Sequence, residues 1–228
     1  MLEALVDLFF PEICQACGNA LFNQEKLICT FCSFHLPQTH YHHQKNNPVS
    51  KLFWGRAAIE TAAAFYFFNK GSRVQRLLHQ LKYRGRSDLA IHVGYLYGTE
   101  LKQSPLYADV DLIIPIPLHK KKLKQRGYNQ SDAFARGLSQ GMLIEWDAGI
   151  LERTIANETQ TNKSRFERWT NVASIFAIKN PDKLKNKHIL LVDDVITTGS
   201  TLEAAATLIL SLNQVKLSIV SMACSLKT

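Results

Sequence analysis

Two adjacent carboxylates directly follow a short apolar run in residues 189–201, which read ILLVDDVITTGST. The run predicts a buried strand, and Asp193 and Asp194 stand where it ends, at a position where we expect only ligand hydroxyls to satisfy them. Hydroxyl side chains and one glycine come next, before an apolar helical pattern: Thr197, Thr198, Gly199, Ser200 and Thr201. Hydroxyls and the free N–H groups of a helix start form an anion cradle, and glycine allows a phosphate close approach. The segment predicts a phosphorylated-sugar site; the alternative is a strand–turn–helix corner with a solvated acidic pair.

A second cluster, rich in basic residues, follows another predicted strand end, in residues 115–130, PIPLHKKKLKQRGYNQ. The prolines end the strand, and a basic loop at such an edge would meet a pyrophosphate group. We therefore predict that His119, Lys120 and Arg126 bind pyrophosphate. The lysines between them stay ambiguous, because a run of this kind is usually a solvated basic face.

The third cluster is Lys82, Tyr83 and Arg84, at the end of an amphipathic helical pattern that already carries arginines. No acid occurs between residues 70 and 87. The cluster could clamp a phosphate, or it could track a nucleic acid with Tyr83 stacked on a base. A solvated cationic face is the third interpretation.

Four of the five cysteines form two C-x-x-C pairs, separated by eleven residues: Cys14, Cys17, Cys29 and Cys32. Each pair can turn two thiolates toward one ion, and two pairs complete a tetrahedral S4 site. Such a site has no open position, so we expect structural Zn²⁺; iron or two disulfides are the alternatives. Three nearby histidines could extend a metal site, but a histidine-rich polar linker needs no metal and is the favoured interpretation: His40, His42 and His43.

Strand and helix patterns alternate after about residue 51. Strands are predicted over 62–68, 111–117, 188–192 and 216–223, and helices over 72–82, 89–101, 131–140 and 200–212. This alternation indicates an α/β domain with a mostly parallel sheet covered on both faces. The polar stretch 40–48 has loop composition, which favours a cysteine module with a linker over residues 1–50 and a second domain over 51–228.

Bulk properties limit the partners of the chain. The 228 residues carry a formal net charge of +8, which favours anionic ligands such as phosphates or nucleic acid. The first ten residues include Glu3 and Asp7 without a basic flank, unlike a secretory signal. No run of 18 uncharged apolar residues occurs, so no membrane insertion is expected. We expect a soluble protein of the cytoplasm.

The segment 189–201 closely resembles the signature of the type I phosphoribosyltransferases. Across nearly its whole length the chain also resembles the ComF family, which includes competence and GntX-like proteins. The motifs that carry this resemblance are the paired C-x-x-C, LKYRGR, IIPIPLH, RGYNQ, LLVDDVITTGST, and Thr159 and Gln160 followed by Arg168 and Asn171. One departure precedes the last strand, where Asn213 would have to adopt the left-handed conformation of an expected glycine.

The resemblance implies a type I phosphoribosyltransferase fold behind a small zinc-ribbon-like module. It implies that residues 197–201 hold the 5-phosphate of phosphoribosyl pyrophosphate and that Asp193 and Asp194 contact the ribose hydroxyls. Mg²⁺ would arrive with the ligand, held mainly by ribose hydroxyls and pyrophosphate. It further implies partners in DNA uptake, including a helicase-like ATPase.

Three function hypotheses remain open from the sequence. The chain could be a phosphoribosyltransferase with an unknown acceptor, for which no residue stands out as a general base. It could bind the phosphoribosyl ligand without turnover, as a sensor or adaptor. It could also bind single-stranded DNA directly through the basic clusters.

Overall fold

A four-stranded parallel sheet forms the centre of the chain. The computed structural model describes residues 11–22, 24–154 and 175–225. Its strands are β1 (Thr61–Phe67), β2 (Leu112–Pro115), β3 (Leu151–Arg153), β4 (Phe176–Ile178), β5 (His188–Ile196) and β6 (Lys216–Cys224). The sheet order is β1-β6-β5-β2 with every pairing parallel, while β3 and β4 form a separate antiparallel pair. The predicted parallel α/β sheet is therefore confirmed.

Seven helices are described: α1 (Thr30–His35), α2 (Pro48–Lys51), α3 (Arg73–Tyr83), α4 (Ser87–Gln103), α5 (Lys120–Arg126), α6 (Gln130–Met142) and α7 (Ser200–Leu210). Short 3₁₀ turns cover Tyr41–His43 and Pro181–Leu184. The four longest helices, α3, α4, α6 and α7, match the predicted ones within about two residues at each end. Among the described residues, no helix is both long and apolar enough to cross a membrane.

Each face of the sheet has its own apolar layer, because side chains alternate along a strand. On one face, Ala63 and Phe65 of β1 pack with α3, α4, α6 and the cysteine segment. On the other face, Ala62 and Ala64 pack with Phe53, α7 and the β3–β4 pair. We call these the α3 layer and the α7 layer. The cysteines and the predicted phosphate loop thus belong to opposite layers.

Helices α4 and α6 touch backbone to backbone through four glycines: Gly94, Gly98, Gly137 and Gly141. A Cβ atom added at Gly94 would lie 2.3 Å from the carbonyl oxygen of Phe134, and one at Gly137 would lie 2.1 Å from that of Ile91. No side chain fits at either position. The contact fixes the position of α6 along the axis of α4. It thereby also fixes where α6 begins beside the sheet.

The polar stretch 40–48 is folded onto the sheet, although its composition predicts a loop. His42 and Asn47 are buried, and Asn47 donates from Nδ2 to the carbonyl of Ala62 in β1 over 2.7 Å. The backbone N–H of Thr39 donates to the carbonyl of Phe65 over 2.9 Å. Residues 39–50 therefore contact the sheet directly, and the division of the chain at residue 50 stays a prediction.

Two local expectations are wrong. The basic segment after β2 is a helix, α5, and not a loop: lysine, glutamine, arginine and leucine are good helix formers. Gly127, with a φ of 78°, ends it in the left-handed conformation that favours glycine. Before β6, Gln214 adopts positive φ, and Asn213 does not.

Candidate functional site

The predicted phosphate loop lies at the carboxyl end of β5 and leads into α7. Gly199 is the N-cap of α7, and its φ of 75° allows the chain to turn from the loop into the helix. Residues 193 and 195–202 surround a small cavity of about 50 Å³. The hydroxyl-bearing residues Thr197, Thr198, Ser200 and Thr201 are all solvent-exposed. A turn of exposed hydroxyls at the start of an eleven-residue helix has the donors and the dipole direction that an anion requires.

A phenyl ring supports this loop from below. Phe53 is fully buried, and a Cβ atom at Gly199 would lie 3.2 Å from its Cζ atom. Gly199 is thus needed twice, once for its positive φ and once for the close contact with the ring. Phe53 was missed in the sequence analysis, where it carried no signal beyond its apolar side chain.

The two acids beside the loop already have protein partners. Asp193 is half-buried and accepts from the hydroxyl of Ser131 over 2.8 Å and from the backbone N–H of Asp194 over 2.8 Å. Asp194 pairs with Lys82, whose Nζ lies 3.1 Å from Oδ2. The expectation that only ligand hydroxyls would satisfy these carboxylates is therefore wrong. A ligand at this edge must compete with Lys82 or bind beside it.

The environment of Asp193 opposes its negative charge. Burial, followed by the adjacent charge of Asp194, raises the pKa of Asp193 from its usual value of 3.8 to about 7. The Ser131 hydroxyl and the Asp194 N–H act in the opposite direction, but do not cancel the rise. Near neutral pH the acidic pair therefore shares its site with a proton as well as with Lys82.

A groove between the end of α3 and helix α5 opens beside the acids. It has a volume of about 440 Å³ and is lined by Lys82, Tyr83, Gly85, Lys122, Gln125 and Arg126. Arg126 donates to the side chain of Gln130 over 2.8 Å, which orients its guanidinium. Three cations face a single groove, one of them bonded to Asp194. The structure thus brings together residues from both basic clusters.

Three other predicted residues lie outside the lining of this groove. His119 caps the start of α5, where its Nδ1 accepts from the backbone N–H of Lys121 over 3.2 Å. Lys120 and Arg84 are solvent-exposed. Sequence reasoning did not assign Ser131 to the site, although its hydroxyl donates to Asp193, and Asn129 is the N-cap of α6. Thr159, Gln160, Arg168 and Asn171 lie outside the described residues.

The four cysteines of the two C-x-x-C pairs converge, with all sulfur atoms within 4.8 Å of one another. None is in a disulfide, and the sulfurs of Cys17 and Cys29 are 3.8 Å apart. A tetrahedral Zn²⁺ with bonds of roughly 2.3 Å requires sulfur separations of roughly 3.8 Å. The backbone N–H of Cys29 donates to the sulfur of Cys14 over 3.2 Å, which favours a thiolate there. The donor set and its spacing fit zinc.

Helix α3 joins this cysteine module to the acids. Near its start, Arg76 donates to the carbonyl of Cys17 over 2.6 Å, and Arg73 lies 5.0 Å from the ring centroid of Phe31. Near its end, Lys82 pairs with Asp194. The buried cysteines share the α3 layer with Leu77 and its neighbours.

Comparison with known proteins agrees with this architecture. Residues 133–227 match the family described as "Phosphoribosyl transferase domain". Among solved structures, the chain resembles a glutamine phosphoribosylpyrophosphate amidotransferase from B. subtilis, with 18% identity, a TM-score of 0.45 and coverage of 63% of this chain and 30% of that one. An adenine phosphoribosyltransferase from Leishmania tarentolae gives 11% identity, a TM-score of 0.38 and coverage of 83% and 94%. Scores this low add nothing to the assignment.

Curated relatives are closer in sequence. DNA utilization protein YhgH of Escherichia coli K12 is 32% identical over 202 residues, covering 87% of this chain and 84% of the relative. Competence protein ComFC of Bacillus subtilis is 28% identical over 204 residues, covering 87% and 78%. Competence protein F of Haemophilus influenzae is 33% identical over 116 residues, covering 50% and 51%. With its phosphoribosyltransferase-type domain and its four-cysteine cluster, the chain belongs to the ComF family of competence and DNA-utilization proteins.

Proposed function

We propose that this protein binds phosphoribosyl pyrophosphate at the carboxyl end of β5 and acts in the uptake or utilization of DNA. The observation that carries the proposal is the proximity of Asp193 to the hydroxyl-rich turn at Gly199, because both line one small cavity. A phosphate in the turn leaves the adjacent ribose within reach of the acids. The names of the relatives, which concern competence and DNA utilization, support the biological setting.

Each part of the ligand has a proposed contact. Residues Thr197 to Thr201 hold the 5-phosphate, and the carboxylates of Asp193 and Asp194 hold the ribose hydroxyls. The pyrophosphate lies toward the groove, where Lys82 and Arg126 balance its charge. Mg²⁺ bound with the ligand would offset part of the negative charge of the pyrophosphate, beside Lys82 and Arg126.

Phosphoribosyl transfer is the reaction that such a site supports. A nucleophile would displace pyrophosphate at the anomeric carbon, so that positive charge develops on the sugar and negative charge on the leaving group. The carboxylates of Asp193 and Asp194 lie on the side of the sugar, and the cations of the groove lie on the side of the leaving group. The protein's contribution is positioning and electrostatic stabilisation.

A non-catalytic role as a sensor or adaptor is the second candidate. It is favoured by the lining of the groove, which among the described residues includes no histidine or carboxylate that could deprotonate an acceptor. In that role, ligand binding would control an interaction with another component of DNA uptake, such as a helicase-like ATPase.

Direct binding of single-stranded DNA is the third candidate. Tyr83 is 64% exposed and stands in the groove beside Lys82, Lys122 and Arg126. An exposed aromatic ring among cations is the arrangement on which bases stack while the backbone is neutralised. A steep salt dependence of DNA affinity would support this role.

Calorimetry with phosphoribosyl pyrophosphate and Mg²⁺ tests the main proposal. We expect Asp194→Asn to weaken binding by about 10- to 100-fold, because a charge-assisted hydrogen bond to the ligand is lost. Asp182→Asn is the matched control, since Asp182 is exposed and, within the described part of the chain, its ion pair is with Lys185 on the surface. Equal affinity in the wild type and Asp194→Asn would contradict the assignment.

Pyrophosphate release, measured with a panel of nucleobases, separates the enzyme from the sensor. Release that depends on an acceptor supports the transferase. Tight binding without release for any acceptor supports the sensor or adaptor.

A further inference from the structure

Arg56 contacts the phosphate loop although it is 142 residues away in sequence. Its Nη1 donates to the carbonyl of Thr198 over 3.1 Å and to that of Leu52 over 3.0 Å. Its Nη2 pairs with the carboxylate of Glu203 in the first turn of α7. The side chain is 34% exposed, so this is not a buried core arginine. One guanidinium thus joins the loop, the helix behind it and its own segment.

The segment that presents Arg56 is itself fixed at several points. At its start, buried Asn47 accepts from the backbone N–H groups of Val49 and Ser50 over 2.8 and 3.0 Å. Its Nδ2 donates to Ala62 of β1 over 2.7 Å. In its middle, Phe53 supports Gly199. Residues 47–56 therefore lie between the sheet and the loop and contact both. Arg56, at the end of this segment, contacts the loop.

Glu203 explains why a cation is needed there. A carboxylate in the first turn stabilises a helix through the dipole, but it occupies the region whose positive potential a phosphate would use. Two anions at one helix start repel each other, and the repulsion weakens phosphate binding. Arg56 neutralises this carboxylate, while Thr197 and Ser200 stay exposed to solvent.

We propose that Arg56 is a positioning residue for the 5-phosphate loop. Its hydrogen bond to the Thr198 carbonyl stabilises the turn. Its ion pair neutralises Glu203, so that the start of α7 can bind a dianionic phosphate. This inference rests on the proposed function, because it assumes that the loop binds the phosphate of a phosphorylated ribose. It assigns Arg56 to the sugar-phosphate end of the ligand and not to the pyrophosphate end.

The test compares ribose 5-phosphate with inorganic pyrophosphate as separate probes of the two ends, by calorimetry on the full chain. We expect Arg56→Gln to weaken ribose 5-phosphate binding by about tenfold, as for a lost charge-assisted contact. Pyrophosphate binding should change less than twofold. The double variant Arg56→Gln with Glu203→Gln should recover most of the lost affinity, because it removes the uncompensated carboxylate. Thermal unfolding of each variant checks that the fold is retained.

The outcomes separate the two levels of the proposal. If the wild type binds no ribose 5-phosphate, the proposed function fails and the role of Arg56 fails with it. If the wild type binds but Arg56→Gln binds equally well, only the role of Arg56 is overturned. An equal loss for both probes, or a double variant no better than Arg56→Gln, would also overturn it, since either result indicates a general structural defect.

Discussion

The cysteine module and the phosphate loop differ in what stabilises their conformations. The module gathers four sulfur atoms within 4.8 Å, an arrangement that a bound zinc ion would stabilise. The loop relies on its own backbone and on neighbouring side chains, with Gly199 at positive φ above Phe53 and Arg56 bonded to Thr198. The two regions also pack in different layers of the sheet. We therefore expect that each region can be disrupted without the other.

The largest expected effect is on the module. Replacing both Cys29 and Cys32 by Ser should release about one zinc per chain and disorder the cysteine segment, because structural zinc contributes on the order of ten kcal/mol to such modules. The 5-phosphate loop should survive, since its supports lie in the α7 layer. Metal analysis and binding of ribose 5-phosphate measure the two effects.

Single replacement of Cys224 by Ser is the control for that experiment. Cys224 is buried on β6 and lies outside the four-cysteine cluster. Its variant should keep the metal. Loss of ribose 5-phosphate binding in step with loss of zinc would show that the two regions form one cooperative unit, coupled through α3.

Gly199→Val should have the next largest effect, confined to the loop. A β-branched side chain at positive φ is strained by about 1–2 kcal/mol, and here it also meets the ring of Phe53. Ribose 5-phosphate binding should be abolished while zinc is retained. Gly71→Val is matched for backbone strain, because Gly71 has a φ of 80° with no atom within 4 Å of an added Cβ. Binding by Gly199→Val at the level of Gly71→Val would contradict the cradle.

The smallest expected effect concerns the proton on Asp193. Its pKa is higher in the folded chain, about 7, than the usual 3.8, so folding favours the protonated form. The stability that this provides is complete below about pH 3.8 and is lost as the pH rises through 7. Relative to the wild type, Asp193→Asn should therefore gain stability as the pH rises from 5 to 8.

Chemical denaturation at several pH values measures this gain, and the amide oxygen of the variant can still accept from Ser131 and from residue 194. Asp182→Asn should show no gain over the same interval, because its partner Lys185 lowers the pKa of Asp182 and leaves it ionised throughout. A wild type and Asp193→Asn with parallel pH profiles would show that Asp193 is ionised normally.

Sequence patterns predicted the sheet and the turn at 197–201 because both depend on local signals. The apolar run gives the first half of β5 and the helical pattern gives α7, and the order of hydroxyls and glycine gives the loop. The prediction that the strand ends before the acids is wrong, because β5 continues through Asp193 and Asp194 to Ile196. The partners of the acids were not predictable in this way. Lys82 and Ser131 are 112 and 62 residues from their carboxylates and come from different helices, so only the tertiary fold brings them together.

Arg56 shows the same limit more clearly. It stands in a stretch without regular periodicity, and its partners Thr198 and Glu203 are remote in sequence. The error at α5 has a different cause. A run of lysines indicates a solvated surface correctly, since none of its residues is buried, but charge alone does not distinguish a helix from a loop.

The glycine contact between α4 and α6 has a mechanical consequence. Because the backbones of Gly94 and Gly137 already touch, neither helix can slide along or rotate against the other without a collision, and the pair moves as one rigid body. Ser131, in the first turn of α6, therefore keeps its position relative to α4. Any movement that admits a ligand to the groove must therefore come from its other sides. These are α5, which buries none of its residues, and the side chain of Lys82 at the end of α3.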